Sequence, residues 1–149
     1  MLVTGATGFL GSHLATALVE RGYRVRALSR RTSGLDALER LGVEVVRGDL
    51  ADVRSLVRAA SGVGVVFHAA GRVSDWGPRD TFLRANAEGT RNVVASCREA
   101  GVSRLVHLSS LTVLGLPRDG RVISESTPTA LPASGDFYTE SKLEGERYV

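Results

Sequence analysis

Residues 2–11 read Leu2-Val3-Thr4-Gly5-Ala6-Thr7-Gly8-Phe9-Leu10-Gly11 and join a short apolar run to a helical pattern. The helical pattern covers Phe9–Arg21, with leucines at positions 10, 14 and 18. Gly22 follows this pattern directly, which is typical of a helix C-terminus. A strand, a glycine-rich turn and a helix in this order predict the first half of a βαβ unit.

Four more β-rich runs follow along the chain, and helical segments separate several of them. The runs are Tyr23–Leu28, Val43–Val46, Val63–His68 and Arg104–Leu108. Several are nearly continuous in apolar residues, as expected for strands that are covered on both faces. Asp52 is placed to cap a short helix that extends through Ser61. Alternating strands and helices predict an α/β protein with a parallel sheet and right-handed crossovers.

The second half of the chain predicts two more helices and a long irregular loop. The longest helix is expected over Arg79–Ala100, with an inner stripe of Phe82, Asn86, Gly89, Val93 and Cys97. The stretch after Leu108 holds Pro117, Pro128 and Pro132 and predicts an irregular loop. A last helix is expected to start near Asp136 or Phe137 and to be still running at Val149.

Length and composition predict one globular domain over residues 1–149. The chain is 43% hydrophobic and 23% charged, which is not the composition of a disordered protein. Cys97 is its only cysteine, so an internal disulfide framework is excluded and a reducing compartment is indicated. No apolar run approaches the roughly 20 residues of a membrane span, and the first residues lack a basic signal-peptide region. We therefore expect a cytoplasmic protein without a membrane partner.

The charge distribution gives little support for nucleic-acid binding. The formal net charge is only +3, and the basic residues are spread along the chain. Cys97 and the three histidines (His13, His68, His107) do not have the spacing of metal ligands, so no metal site is predicted. The only lysine among the 19 lysine and arginine residues is Lys142.

Gly5, Gly8 and Gly11 predict a turn that holds the phosphates of a dinucleotide. Glycines permit a tight turn, a close approach of the backbone to a pyrophosphate, and close packing of the helix on its strand. Free N–H groups at the start of the helix then face the anion. The spacing is G-x-x-G-x-x-G instead of the commoner G-x-G-x-x-G. The alternative is a glycine-rich turn without a ligand.

Two loops after predicted strands bear on the choice of cofactor. An acidic residue after the second strand would bind the ribose hydroxyls of NAD, but Arg30 and Arg31 stand there. Guanidinium groups suit a 2′-phosphate, so NADP is favoured over NAD, although a solvated basic turn is an alternative. Asp49, after the third strand, is placed either to accept a hydrogen bond from adenine or to cap the next turn.

Tyr138 and Lys142 are spaced i and i+4, so they lie on one face of the last helix. The reference pKa of a phenol is about 10, and a nearby ammonium favours the phenolate and lowers that pKa. The pair is therefore a candidate for proton exchange near neutral pH. The alternative is a surface pair that contributes only to helix stability.

Three other features contribute candidate site residues. Ser109 and Ser110 end the fifth predicted strand, where a hydroxyl can bond a substrate carbonyl or simply terminate the strand. Asn86 is a buried amide that must find hydrogen-bond partners, so it either braces the backbone of the site or is purely structural. The residues after the fourth strand, 69–71, are small and would let a flat cofactor lie against the backbone, while His68 is expected to be a satisfied core histidine.

These elements together resemble the extended short-chain dehydrogenase/reductase family, also called the NAD-dependent epimerase/dehydratase family. The similarity extends to its hydroxysteroid dehydrogenase and dihydroflavonol reductase-like branch through the run Val25–Arg30 and through Val73–Gly77. The matching pieces follow the family's order and span nearly the whole chain: Thr4–Gly11, Gly48–Leu50, His68–Gly71, Asn86–Thr90, Ser109-Ser110 and Tyr138–Lys142.

The resemblance implies a Rossmann-type, doubly wound parallel sheet with strand order 3-2-1-4-5. It implies that Tyr138 is the catalytic acid/base, that Lys142 holds the nicotinamide ribose and tunes Tyr138, and that Ser110 orients the carbonyl. Ser110 is chosen over Ser109 because Thr112–Gly115 aligns with the family's T-V-Y-G ending. The implied cofactor-binding residues are Gly5, Thr7, Gly8, Phe9, Leu10, Gly11, Arg30, Asp49, Leu50, Ala69, Ala70, Gly71, Asn86, Tyr138 and Lys142.

The function implied is an NADP- or NAD-dependent oxidoreductase acting on a secondary alcohol or ketone, such as a steroid-like or other small hydrophobic substrate. The alternatives are a nucleotide-sugar epimerase or dehydratase, which Leu114 in place of a tyrosine disfavours, and a non-catalytic dinucleotide-binding fragment.

Family members continue past the last helix, so the chain is expected to be an N-terminal portion with an unpaired outer edge on its fifth strand. A homodimer is implied for the full-length protein. Trp76 either lines the substrate side or is an ordinary packing residue.

Overall fold

In the part of the chain that the structure describes, five short parallel strands form one sheet in the order β3-β2-β1-β4-β5. The strands are β1 (Leu2–Thr4), β2 (Arg26–Ser29), β3 (Glu44–Arg47), β4 (Val65–His68) and β5 (Arg104–His107). The structure is a computed structural model that describes residues 1–115 and 122–149. The predicted Rossmann-type sheet and its strand order are confirmed, and β5 lies at one edge. Because the strand order reverses between β1 and β4, their carboxyl ends border a crevice where such folds bind ligands.

Helices pack on both faces of this sheet. They are α1 (Phe9–Glu20), α2 (Asp36–Arg40), α3 (Val53–Ala60), α4 (Arg79–Phe82), α5 (Gly89–Glu99) and α6 (Phe137–Glu146). A single π-helical turn, Leu83–Glu88, connects α4 to α5, and a 3₁₀ helix, Leu111–Leu114, follows β5. None of the described helices is both long and apolar enough to cross a bilayer.

The core is divided into two layers by the sheet. On one face Leu2 and Val66 pack with Leu56 of α3 and Val93 of α5. On the other face Val3 and Ala27 belong to a second cluster, which is completed by Ala15 and Leu18 of α1 and Leu38 of α2. Neighbouring residues of β1 thus point into different layers, as alternation along a strand requires.

The predicted long helix over Arg79–Ala100 is interrupted by the π turn, although the whole segment remains helical. All five residues of its predicted inner stripe are buried. Asp52 caps α3 as predicted, because its side chain accepts a hydrogen bond from the Ser55 N–H. The irregular loop with Pro128 and Pro132 is confirmed beyond the 3₁₀ helix, whereas Pro117 lies outside the described residues.

Two boundaries differ from the prediction by three residues, and one helix was not predicted. The second strand begins at Arg26 and not at Tyr23, because the Tyr23 N–H donates to the Leu18 carbonyl and closes α1. Helix α2 was not predicted, since five residues are too few to show a helical period. The prediction that the last helix runs through Val149 is wrong: it ends at Glu146, and the final N–H groups bond to carbonyls three residues back.

Candidate cofactor-binding and active site

The glycine-rich turn after β1 is packed too closely for any side chain at two of its glycines. Gly5 has a φ of 73°, and a Cβ there would lie 2.6 Å from the Ala70 nitrogen. A Cβ on Gly11 would lie 2.1 Å from the Gly5 carbonyl oxygen. The turn therefore lies against the backbone at the end of β4, and the first turn of α1 lies directly on it.

The start of α1 is open to an anion. Gly8 is the N-cap residue, and within the described chain no side chain caps this end and no acidic residue occupies the first turn. The N–H groups of the first helical turn have no acceptor inside a helix, so they are free to bind a phosphate. Thr7 and Phe9 are exposed beside them, with Phe9 83% exposed. A cradle that only glycine permits, next to unused N–H donors, fits the pyrophosphate of a dinucleotide.

Arg30 and Asp49 meet at the carboxyl ends of β2 and β3. The Arg30 Nη1 lies 3.8 Å from the Asp49 Oδ2, and the Asp49 Oδ1 accepts a hydrogen bond from the Ala51 N–H at 2.9 Å. Asp49 thus caps its own turn, which was one of its two predicted roles, and keeps its second oxygen directed at Arg30. Leu50 lies close against α5, where a Cβ on Gly89 would come within 3.0 Å of its side chain.

Lys142 is buried beneath the end of β5. It is 6% exposed, and its Nζ donates a hydrogen bond to the Leu108 carbonyl oxygen. Burial lowers the pKa of this amine, and the nearby Glu146 carboxylate partly opposes the shift. The helix that carries Lys142 is fixed at its start by Asp136, whose Oδ1 accepts a hydrogen bond from the Thr139 N–H at 2.9 Å. Tyr138, one turn before Lys142, is half-buried.

Tyr138 lines a cleft of ≈ 690 Å³ between the start of α6 and the segment 73–77. Thr112 of the 3₁₀ helix lines the same cleft, and its Oγ1 lies 2.9 Å from the Ser110 Oγ. Trp76 also lines it and is 84% exposed, so it is not an ordinary packing residue. The structure thus brings Tyr138 and the Ser110–Thr112 pair to the same region at the carboxyl edge of the sheet.

Asn86, on the π turn, uses its whole amide group. Its Oδ1 accepts a hydrogen bond from the Arg72 N–H at 2.7 Å, while its Nδ2 donates to the Arg72 carbonyl at 3.0 Å. The second Nδ2 hydrogen goes to the Ser141 Oγ at 2.9 Å, and the Ser141 hydroxyl donates to the Tyr138 carbonyl. Asn86 therefore fixes the backbone after Gly71 and holds α6 beside it.

Two residues of this arrangement were not found from the sequence. Thr112 gave a weak signal, since it stands two positions after Ser110 at a predicted strand end. Nothing in the sequence indicated a role for Ser141, because a serine in a helix is usually exposed or bonded to its own backbone. Of the two strand-end serines, Ser110 caps the 3₁₀ helix, whereas the Ser109 hydroxyl is buried and has no hydrogen-bond partner among the described residues.

Comparisons with known proteins agree with this geometry. A 2-alkyl-3-oxoalkanoate reductase of Stenotrophomonas maltophilia (strain K279a) is 45% identical over 113 residues, which are 76% of this chain and 34% of that protein. The sterol-4-alpha-carboxylate 3-dehydrogenase, decarboxylating, of Homo sapiens is 37% identical over 147 residues, which are 99% of this chain and 38% of that protein. The chain thus spans less than half the length of these relatives.

A solved structure and a family model extend the comparison. The UDP-glucose 4-epimerase of Thermus thermophilus, in complex with NAD, superposes with a TM-score of 0.84 at 30% identity. The match covers 99% of this chain and 48% of that one. The model of the NAD-dependent epimerase/dehydratase family matches residues 1–149. Because this match covers the full sequence, the chain belongs to the NAD-dependent epimerase/dehydratase family.

Proposed function

We propose that the protein is an NADP-dependent oxidoreductase that interconverts a secondary alcohol and a ketone. One observation carries the proposal: Tyr138 faces a cleft of ≈ 690 Å³, and Lys142, one helical turn further, is buried at the carboxyl end of β5. This edge of the sheet also carries the glycine turn and the open start of α1. The bound dinucleotide supplies or accepts the hydride.

Tyr138 moves the proton in this proposal. In ketone reduction its hydroxyl donates a proton to the carbonyl oxygen, and in alcohol oxidation the phenolate takes that proton back. Lys142 lies one helical turn after Tyr138, and its Nζ is held at the end of β5 by the Leu108 carbonyl oxygen, where it is placed to hold the nicotinamide ribose. The Ser110 hydroxyl, held by Thr112, orients the carbonyl.

The chain's own residues also account for cofactor binding. The first-turn N–H groups of α1 and the closely packed backbone at Gly5 would hold the pyrophosphate, and the guanidinium of Arg30 would bind the 2′-phosphate of NADP. Arg30 suits this role because its side chain is 78% exposed and pairs only with Asp49, at 3.8 Å, within the described residues.

The lining of the cleft combines apolar side chains with the carboxylates of Asp75 and Asp136, so it favours an apolar substrate without negative charge, such as a steroid-like ketone. Its apolar side chains are Val73, Trp76, Phe82 and Phe137, and its described lining includes no lysine or arginine. A nucleotide sugar brings a diphosphate that would need a cation. The likeness to a UDP-glucose 4-epimerase nonetheless makes epimerisation a second candidate. Tight binding of NAD, with no preference for a 2′-phosphate, would favour that candidate.

The Tyr138→Phe variant tests the proposal. Loss of general acid catalysis should lower kcat for ketone reduction by about 10²- to 10⁴-fold, while the Kd for NADPH stays unchanged. The measurements are NADPH oxidation with a panel of apolar ketones and a fluorescence titration with NADPH. Tyr148→Phe, beyond the end of α6, is the matched control and should keep full activity. Retained turnover in Tyr138→Phe would contradict the assignment.

A further inference from the structure

Three buried polar side chains connect the end of β1 to the helix after the π turn. Thr4, His68 and Thr90 are each no more than 1% exposed. The Thr4 Oγ1 lies 2.7 Å from the His68 Nδ1, and the His68 Nε2 lies 3.1 Å from the Thr90 Oγ1. Thr4 and His68 face each other in the register of β1 and β4, so the strand pairing itself brings the first two together.

The direction of each hydrogen bond follows from the outer partners. The Thr90 hydroxyl donates to the Asn86 carbonyl at 2.6 Å, so toward His68 it can only accept. The His68 Nε2 must then carry the hydrogen, and the Nδ1 must be the acceptor. The Thr4 hydroxyl donates to that Nδ1, and its oxygen accepts the Ala70 N–H at 3.2 Å. Every member is satisfied only when His68 is neutral with its hydrogen on Nε2.

The surroundings of His68 keep the imidazole neutral. Burial, with smaller contributions from the neighbouring His107 and Lys142, lowers the pKa of His68 to about 3. The two imidazole rings lie 5.3 Å apart between centroids. Burial likewise lowers the pKa of His107, to about 4, so neither ring is charged near neutral pH.

Each end of this chain of hydrogen bonds reaches a different part of the candidate site. At one end Thr4 holds the Ala70 N–H, against which Gly5 of the phosphate turn is packed. At the other end Thr90 holds the carbonyl of Asn86, whose side chain fixes Arg72 and Ser141. Ser141 in turn bonds to the Tyr138 carbonyl.

We propose that His68, as the neutral Nε2–H tautomer, is a positioning residue that fixes the dinucleotide turn and the Asn86–Tyr138 unit relative to each other. The inference rests on the proposed function, because it assigns His68 to the alignment of cofactor and proton donor. His68 is only 1% exposed, so its ring offers no surface for a cofactor or a substrate to contact. Its effect passes through Thr4 on one side and through Thr90 on the other.

Two substitutions of His68 separate its effect through Thr4 from its effect through Thr90. His68→Asn keeps an oxygen near the Nδ1 position and loses the donor to Thr90, whereas His68→Gln keeps a donor near the Nε2 position and loses the acceptor for Thr4. We expect His68→Asn to lower kcat roughly tenfold with little change in the Kd for NADPH. We expect His68→Gln to raise that Kd roughly tenfold. A merely structural role would lower Tm in both variants and leave both constants unchanged.

Thr90→Val should reproduce the effect of His68→Asn, because it removes the acceptor of the same hydrogen bond whose donor His68→Asn removes. Ser96→Ala is its matched control, since Ser96 is a buried residue of the same helix whose hydroxyl also donates four residues back, to Asn92, at 2.7 Å. Ser96→Ala should leave kcat and the Kd for NADPH unchanged. Equal effects of Thr90→Val and Ser96→Ala on kcat would overturn the proposal.

If the variants do not fold, the tautomer and the charge of His68 can be measured on the unmodified protein. Nitrogen-15 NMR of the histidine side chains should show His68 as the Nε2–H tautomer with no titration between about pH 5 and pH 8. An Nδ1–H tautomer, or a charged ring in that range, would overturn the inference.

If the unmodified protein binds no dinucleotide, it is the proposed function that fails. If it binds NADPH and reduces ketones but all His68 variants keep its constants, only the positioning role fails.

Discussion

Arg30 and Asp49 form a weak ion pair at the carboxyl ends of β2 and β3, where the proposed site distinguishes NADP from NAD. Their side chains are 78% and 45% exposed, and the nearest charged atoms are 3.8 Å apart. An exposed pair of this kind contributes at most about 1 kcal/mol, so a phosphate dianion can readily take the place of Asp49 beside Arg30. Asp49 would stay near its present position, because its other oxygen is held by the Ala51 N–H.

Arg30→Ser should therefore reduce the preference for NADP over NAD. Loss of a charge-assisted hydrogen bond at an exposed site should weaken NADPH binding about tenfold and leave NADH binding nearly unchanged. The check is a pair of titrations, with NADPH and with NADH, at low salt. Arg40→Ser, which removes an exposed arginine from the last turn of α2, is the control and should change neither Kd. An unchanged ratio of the two Kd values would show that Arg30 is an ordinary surface residue.

The contact between α6 and the π turn depends on a helical glycine. A Cβ on Gly145 would lie 2.7 Å from the Asn86 carbonyl oxygen and 3.4 Å from the Thr90 Oγ1. The first of these atoms belongs to the backbone, so it cannot rotate away. Since α6 carries both Tyr138 and Lys142, the distance between α6 and the π turn also sets where these two side chains lie.

Gly145→Ala should destabilise the protein and lower its activity. Alanine is favoured over glycine inside a helix by about 1 kcal/mol, but the clash with Asn86 should outweigh this gain and lower the free energy of unfolding by about 1–3 kcal/mol. Urea unfolding and kcat measure the two effects. Gly64→Ala is the matched control, because a Cβ there meets nothing within 4 Å. If Gly145→Ala proved as stable and active as Gly64→Ala, the close packing of α6 would not be required.

The sequence predicts the strands and helices of this fold well where they are long or where glycines mark their ends. Glycine turns and apolar runs locate all five strands to within a few residues, and the stripe from Phe82 to Cys97 marks the buried face of a long helix. The π turn within that helix could not be predicted, because the periodic pattern of buried residues does not reveal a single extra residue in one turn. The short helix α2 and the end of α6 depend on local capping, and the sequence pattern gives little indication of where such capping occurs.

Individual site residues were harder to predict than the elements that carry them. The pair Tyr138 and Lys142 was predicted from its spacing, since one helical turn separates the two residues. Thr4, Thr90 and Ser141 matter through contacts between segments far apart in the sequence, and a lone threonine or serine gives no sign of such a contact. The partners of Asn86 could likewise be identified only from the folded chain.

Across the sheet, two histidines lie side by side at the carboxyl ends of the neighbouring strands β4 and β5. His68 ends β4 and His107 ends β5, and they are paired in the register of these strands. Burial lowers the pKa of His68 to about 3 and that of His107 to about 4, from an ordinary 6.5. Charging either ring in the folded state would place a cation beside the buried Lys142, whose charge already lowers both pKa values.

This pair predicts a loss of stability in mild acid. Below about pH 6.5 the unfolded chain binds protons at both positions, whereas the folded protein binds them only near pH 4 and pH 3, so the free energy of unfolding falls as the pH falls through this window. For His68 the slope approaches about 1.4 kcal/mol per pH unit in the middle of the window. Urea unfolding followed by circular dichroism, at a series of pH values from 7 down to 4.5, measures it. His68→Asn should have a shallower slope than the unmodified protein, while His13→Asn, which alters an exposed histidine on α1, should not. Equal slopes for all three proteins would show that the His68 imidazole is not held neutral by the fold.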